Sequence, residues 1–151
     1  MKLVPLFVMH AYVEQPVDVG KTSIGQRLIY NASHDEFRGD RLSGKVLPGG
    51  GEWFLQSEEG LGQVDVRLLL ETDDGAHVYM RYSGVMEYNE AILAAIGEGR
   101  STEYGDNHFL TQVRFECSHP DYAWLSRTIA VGEGRIHPDH VEYTIYEVAH
   151  G

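Results

Sequence analysis

Residues Gly62-Gln-Val-Asp-Val-Arg-Leu-Leu-Leu-Glu-Thr-Asp-Asp-Gly-Ala-His-Val-Tyr-Met-Arg-Tyr82 decide the fold. Val64, Val66, Leu68 and Leu70 recur at every second position, the period of a strand. Asp74-Gly75 follows, and a second apolar run begins at Ala76. An Asp-Gly pair between two such runs is a strong hairpin signal. The stretch therefore reads as two antiparallel strands, 62–72 and 76–87. One face of the first strand carries the four aliphatic residues, and the other carries Asp65, Arg67, Leu69 and Glu71. Charged strand faces are usually solvated, which puts the aliphatic face in the core. The opposite orientation turns Asp65 and Arg67 into a polar lumen and packs the aliphatic face on a helix or partner. There, Asp65 would hold Arg67 ready for a carbonyl or carboxylate ligand.

Outward from this hairpin, Val, Ile, Tyr, Thr and Phe cluster in short runs between glycine and Asp/Asn signals. They predict further strands at 3–14, 22–33, 36–47, 108–118, 127–136 and 139–149. His137-Pro138-Asp139-His140 supplies a turn between the last two. Ala91-Ile-Leu-Ala-Ala-Ile96 is a helical run, with Asn89 as its cap, Glu90 in its first turn and Gly97 and Gly99 at its end. A second short helical turn is expected over 120–126, and the longest loop over 97–107. About eight antiparallel strands with one or two short helices predict an all-β fold, a closed barrel or a sandwich, and closure would leave no sheet edge exposed. No repeat or linker divides residues 1–151, so a single domain is expected.

Composition narrows the partners. A net charge of −11 disfavours nucleic acid and anionic membrane surfaces. No apolar run approaches the ~18 residues that span a bilayer. The N-terminal apolar run is broken by Pro5 and His10, unlike a signal peptide, and the single Cys117 allows no internal disulfide. A cytoplasmic protein is the expectation. Leu3 to Val13 is apolar on both faces, which predicts an outer cover, either a homo-oligomer such as a dimer or the Ala91–Ile96 helix lying across it.

The stretch Gly39 to Trp53 marks a candidate site. A strand-like run breaks at Pro48 and Gly49-Gly50-Gly51, and Glu52 and Trp53 follow. Three consecutive glycines are entropically expensive to order, so the chain there needs unusual dihedrals or close approach to the backbone. Glu52 beside an indole is a candidate general base with a raised pKa; a surface carboxylate beside a core tryptophan is the plainer reading. Asp65 and Arg67 are candidates for orienting a ligand and stabilising a developing enolate, or else a structural ion pair. Trp53, Arg81 and Tyr82 join the candidate ligand-binding set. So do Tyr122, Trp124 and Arg127, for stacking on an aromatic ligand and pairing with its anionic end; the alternative is an aromatic plug.

Eight histidines are scattered, and no metal motif or second cysteine accompanies them, so no metal is expected. The glycine-rich segments lack a Gly-Lys-Ser/Thr ending, and no nucleotide cofactor is expected. Cys117 falls on an apolar strand face and reads as a small hydrophobe.

The chain resembles the DUF3237 family, also called UPF0311. The resemblance rests on Arg41-Leu-Ser-Gly-Lys-Val-Leu-Pro-Gly-Gly-Gly-Glu-Trp53, Asp65-Val-Arg67, Thr72-Asp-Asp-Gly-Ala76, Gly84, Tyr122-Ala-Trp-Leu-Ser-Arg127 and Val131-Gly132. It implies a lipocalin-like antiparallel barrel and names no reaction. Members usually carry Asp before the tryptophan, where this chain has Glu52. Two functions are expected to compete. One is a cofactor-independent lyase, hydratase or isomerase acting on a small carbonyl or aromatic compound through Glu52, Asp65 and Arg67. The other is a non-catalytic barrel that binds a small hydrophobic ligand.

Overall fold

The hairpin at Asp74-Gly75 forms in the computed structural model, which describes residues 1–32 and 34–151. Ten strands run through the described residues: β1 (Lys2–Tyr12), β2 (Val17–Thr22), β3 (Gly25–Ala32), β4 (Glu36–Arg38), β5 (Gly44–Gln56), β6 (Leu61–Thr72), β7 (His77–Glu87), β8 (Phe109–Glu116), β9 (Ala130–Ile136) and β10 (His140–Ala149). Helix α1 (Glu90–Glu98) follows β7, and a 3-10 turn (Ala123–Arg127) follows β8. The ring β5-β4-β1-β10-β9-β8-β7-β6 closes through β6 on β5, giving an eight-stranded antiparallel barrel. β3 pairs with the second half of β5, and β2 extends from β3.

The alternation in β6 sets the inside of the barrel. Val64, Val66, Leu68 and Leu70 are all buried, and Asp65, Arg67 and Leu69 face outward. Each aliphatic side chain buried is worth about 2 kcal/mol, so the opposite orientation would forfeit roughly 8 kcal/mol and also bury two charges. The hairpin turn is built on Asp73 and Asp74. The Gly75 N–H donates to the Thr72 carbonyl at 2.9 Å, and Gly75 takes φ 92°.

The predicted strand 22–33 is β3 with a separate β2 before it; its last residue, Ser33, lies outside the described residues. The predicted strand 36–47 is broken. Residues 39–43 form a turn in which Ser43 Oγ accepts from the Gly39 N–H and donates to the Gly39 carbonyl.

The glycine run departs most from expectation. The strand does not end at Pro48; it continues to Gln56, and the register on β6 shifts between Leu47 and Gly51. Four steps along β5, Leu47 to Gly51, oppose two steps along β6, Leu69 to Arg67, which is a bulge. Gly49 has φ 117°. A Cβ on Gly50 would stand 2.2 Å from the Arg67 carbonyl oxygen, and one on Gly51 would stand 2.4 Å from that of Tyr30. The glycines let β3, β5 and β6 press together where the bulge re-aims the chain.

A second bulge, between Pro5 and Phe7 on β1, turns both Leu6 and Phe7 inward. The two-sided apolar character of this strand is thus met in part by the barrel's own core. At the start of α1, Asn89 Oδ1 accepts from the Ile92 N–H at 3.0 Å, and Gly99 ends the helix in the left-handed region. Ile92 and Ala95 are buried under it. Among the described residues, no helix is long and apolar enough to cross a membrane.

Candidate active site

Past the bulge, β5 alternates with Phe54 buried inside the barrel, so Glu52 also points inward, opposite Val66. It enters a cavity of about 390 Å³ that opens at the end of the barrel where α1 and the β9–β10 turn lie. This is the size of a small-ligand pocket. Val64, Val66, Leu68, Phe109 and Ile136 supply apolar walls, and Ile96 of α1 and Pro138 stand at the rim.

Glu52 Oε2 is shielded from solvent and has no hydrogen-bond partner among the described residues. Burial pushes its pKa up to about 8, and the charge of Asp65 adds to the rise. Near neutral pH this carboxyl is therefore mostly protonated. A second carboxylate, Asp35, lines the same cavity from the link between β3 and β4. Its Oδ1 accepts the Tyr12 N–H at 2.8 Å. Burial raises its pKa to about 6, offset in part by that hydrogen bond and by His34. The two carboxyls thus differ in protonation over the neutral range, the pattern that separates an acid from a base.

Tyr30, Tyr82, Tyr88 and Tyr143 join Tyr12 in the lining, with Asn31, His137 and His140. Burial, then the Glu52 charge, raises Tyr30. Burial holds Tyr82 and Tyr143 well above the ordinary phenol range. Their rings meet edge-on at 5.2 Å. These phenols stay protonated and can donate to an oxygen that gains negative charge.

Glu52 and Tyr82 are the predicted site residues that line this cavity. Asp65, Arg67 and Arg81 instead line a depression on the outer wall, together with Arg114 and Ile129. Neighbouring residues on one strand take opposite faces, so burying Val66 sends Asp65 and Arg67 out, and burying Tyr82 sends Arg81 out. Trp53 likewise faces away from Glu52, with the Arg67 guanidinium 5.3 Å from its ring. Tyr122, Trp124 and Arg127 belong to the opposite end of the barrel, beside the β6–β7 turn. Tyr122 Oη donates to both Asp74 oxygens at 2.9 Å, Arg41 stacks 3.9 Å over Trp124, and Arg127 is exposed. The buried Leu125 makes this segment a plug.

Sequence reasoning missed Asp35 and four of the five lining tyrosines, naming only Tyr82. An aspartate between two strands reads as a turn residue. Tyr143 was within reach, since Val141, Tyr143 and Ile145 alternate along β10.

Fold and cavity together define a small closed β-barrel with an acidic, tyrosine-lined interior. The chain belongs to the DUF3237 family, described as proteins of unknown function, whose model matches residues 1–148. A UPF0311 protein of Rhodopseudomonas palustris is 29% identical over 143 residues, covering 95% of this chain and 94% of that protein. The crystal structure of a conserved protein of unknown function from R. palustris superposes with TM-score 0.87 at 28% identity, covering 98% of this chain and 97% of that one. A β-barrel-like protein from Acinetobacter baumannii gives TM-score 0.83 at 31% identity, with 98% and 96% covered.

Proposed function

We propose that the protein is a cofactor-independent enzyme that binds a small carbonyl or phenolic compound in the barrel and moves a proton on it, as a lyase, hydratase or isomerase. The observation that carries this reading is Glu52 Oε2, buried and without a hydrogen-bond partner among the described residues, in a cavity large enough for such a ligand. Leaving a carboxyl unsatisfied costs about 1–3 kcal/mol, which a ligand oxygen in hydrogen-bond reach would recover. Protonated Glu52 acts as the acid and ionised Asp35 as the base. The tyrosine hydroxyls take the stabilising role for an enolate or phenolate that the sequence suggested for Arg67.

The test uses a panel of small aromatic ketones and enones. Binding is read by protein thermal shift, and proton transfer by deuterium uptake from heavy water at the ligand's acidic carbon. At least one compound should bind and exchange, and Glu52→Gln should bind it while exchange falls by about 100-fold or more. Exchange that persists in Glu52→Gln would remove the catalytic role. Binding without exchange throughout the panel would favour the non-catalytic barrel, the reading suited to the mainly apolar walls.

A further inference from the structure

We infer that His10, His140 and Glu142 form a binding site for a first-row divalent cation of the zinc type, on the wall beside the cavity mouth. The β1–β10 ladder places His10 directly opposite Glu142, and His140 lies two residues before Glu142 on the same face. One ligand atom from each lies within 4.8 Å of the other two. Donors on a tetrahedral ion stand about 3.4 Å apart, within reach of modest side-chain rotation. The strand ladder makes this group from residues far apart in sequence, so no sequence motif announces it.

The surroundings resemble a prepared metal site. His140 Nδ1 is 2.7 Å from Asp139 Oδ1, which orients the ring and leaves Nε2 to ligate. The His137 ring stacks on His140 at 4.3 Å. The His10 ring faces His140 at 5.0 Å, and its nitrogens make no hydrogen bond among the described residues. Glu142 is held by Arg135, at 3.0 and 3.2 Å, and by Tyr104 at 2.8 Å. His137 Nε2 lies 3.1 Å from its Oε1, a contact that an incoming ion would replace. Arg135 shares the carboxylate charge, which weakens the hold of Glu142 on an ion. Two imidazoles and one carboxylate suit zinc and its neighbours rather than magnesium or calcium, which prefer all-oxygen shells. His140 also borders the cavity, but neither Glu52 nor Asp35 is a ligand, so metal binding is measured independently of the proposed proton transfer.

The test titrates tag-free full-length protein with zinc by calorimetry and with cobalt(II) by visible absorption. One ion per chain is expected. His10→Ala and His140→Ala should each weaken binding by about 100-fold, and Asp139→Asn by about 10-fold, while His77→Ala leaves it unchanged. Should the alanine variants misfold, cobalt added to the wild-type protein should broaden the His10 and His140 imidazole NMR signals first. No saturable binding below millimolar zinc would overturn the assignment. So would binding undiminished in both histidine variants, or broadening confined to other histidines.

Discussion

Replacing Glu52 by Gln removes a titration from the barrel interior while keeping shape and volume. The carboxyl titrates near 4.5 in a solvated chain and at about 8 in the fold. Between those values the folded state holds a proton that the unfolded state has lost, so stability falls as pH rises. The slope approaches about 1.4 kcal/mol per pH unit and levels off above the folded value. Between about pH 5 and pH 9 the wild-type protein should lose about 4 kcal/mol from this group alone, less whatever water entering the cavity recovers. Glu52→Gln carries no such loss. The two proteins should have similar stability near pH 5, where Gln stands in for the protonated acid, and diverge steadily above it, with the variant more stable. Urea unfolding of both proteins at several pH values reads the difference, and taking the difference cancels the other titrating groups. Parallel stability curves would show that the carboxyl is not buried and protonated, and the general-acid role would fall with it.

The paired carboxyls predict a bell-shaped pH profile for proton exchange, with limbs near the Asp35 and Glu52 values of about 6 and about 8; Asp35→Asn should lower the rate and abolish the acidic limb, as a pH–rate series would show. Gly50→Ala drives a Cβ into the Arg67 carbonyl oxygen at 2.2 Å, so urea unfolding should show a loss of about 3 kcal/mol, whereas Gly97→Ala, helical and with nothing within 4 Å, should gain about 0.5–1 kcal/mol. Asn89→Ala removes the bond to the Ile92 N–H and should cost about 1 kcal/mol by the same measurement. Exposed Val85, Leu110 and Ile129 on the outer wall offer an apolar face for the expected dimer. Sedimentation at micromolar concentration should show two chains, reduced to one by Leu110→Asp.

Local features were legible where a short-range steric rule governs them. The β6 alternation, the Asp-Gly turn and the Asn89 cap each depend on residues within a few positions. The Glu52 position was legible too, because the glycines beside it signal close backbone approach. The reading of those glycines as the end of a strand failed for a related reason. Glycine permits a turn and a bulge equally, and the β3 and β6 carbonyls that select the bulge lie far away in sequence. Asp65 and Arg67 were drawn toward the site because their spacing fits an ion pair, but spacing within one strand cannot say which face is inside.

By itself the sequence determined that this chain makes short antiparallel strands and that a carboxylate follows a pinched segment. Those properties follow from side-chain alternation and backbone freedom, which neighbouring residues set. The tertiary structure alone decided that Glu52 shares its cavity with Asp35 and five tyrosines, and that His10 meets His140 and Glu142. Such meetings depend on strand register around a closed ring. Register is fixed by the summed burial of many side chains and by two bulges, so no single stretch of sequence carries it.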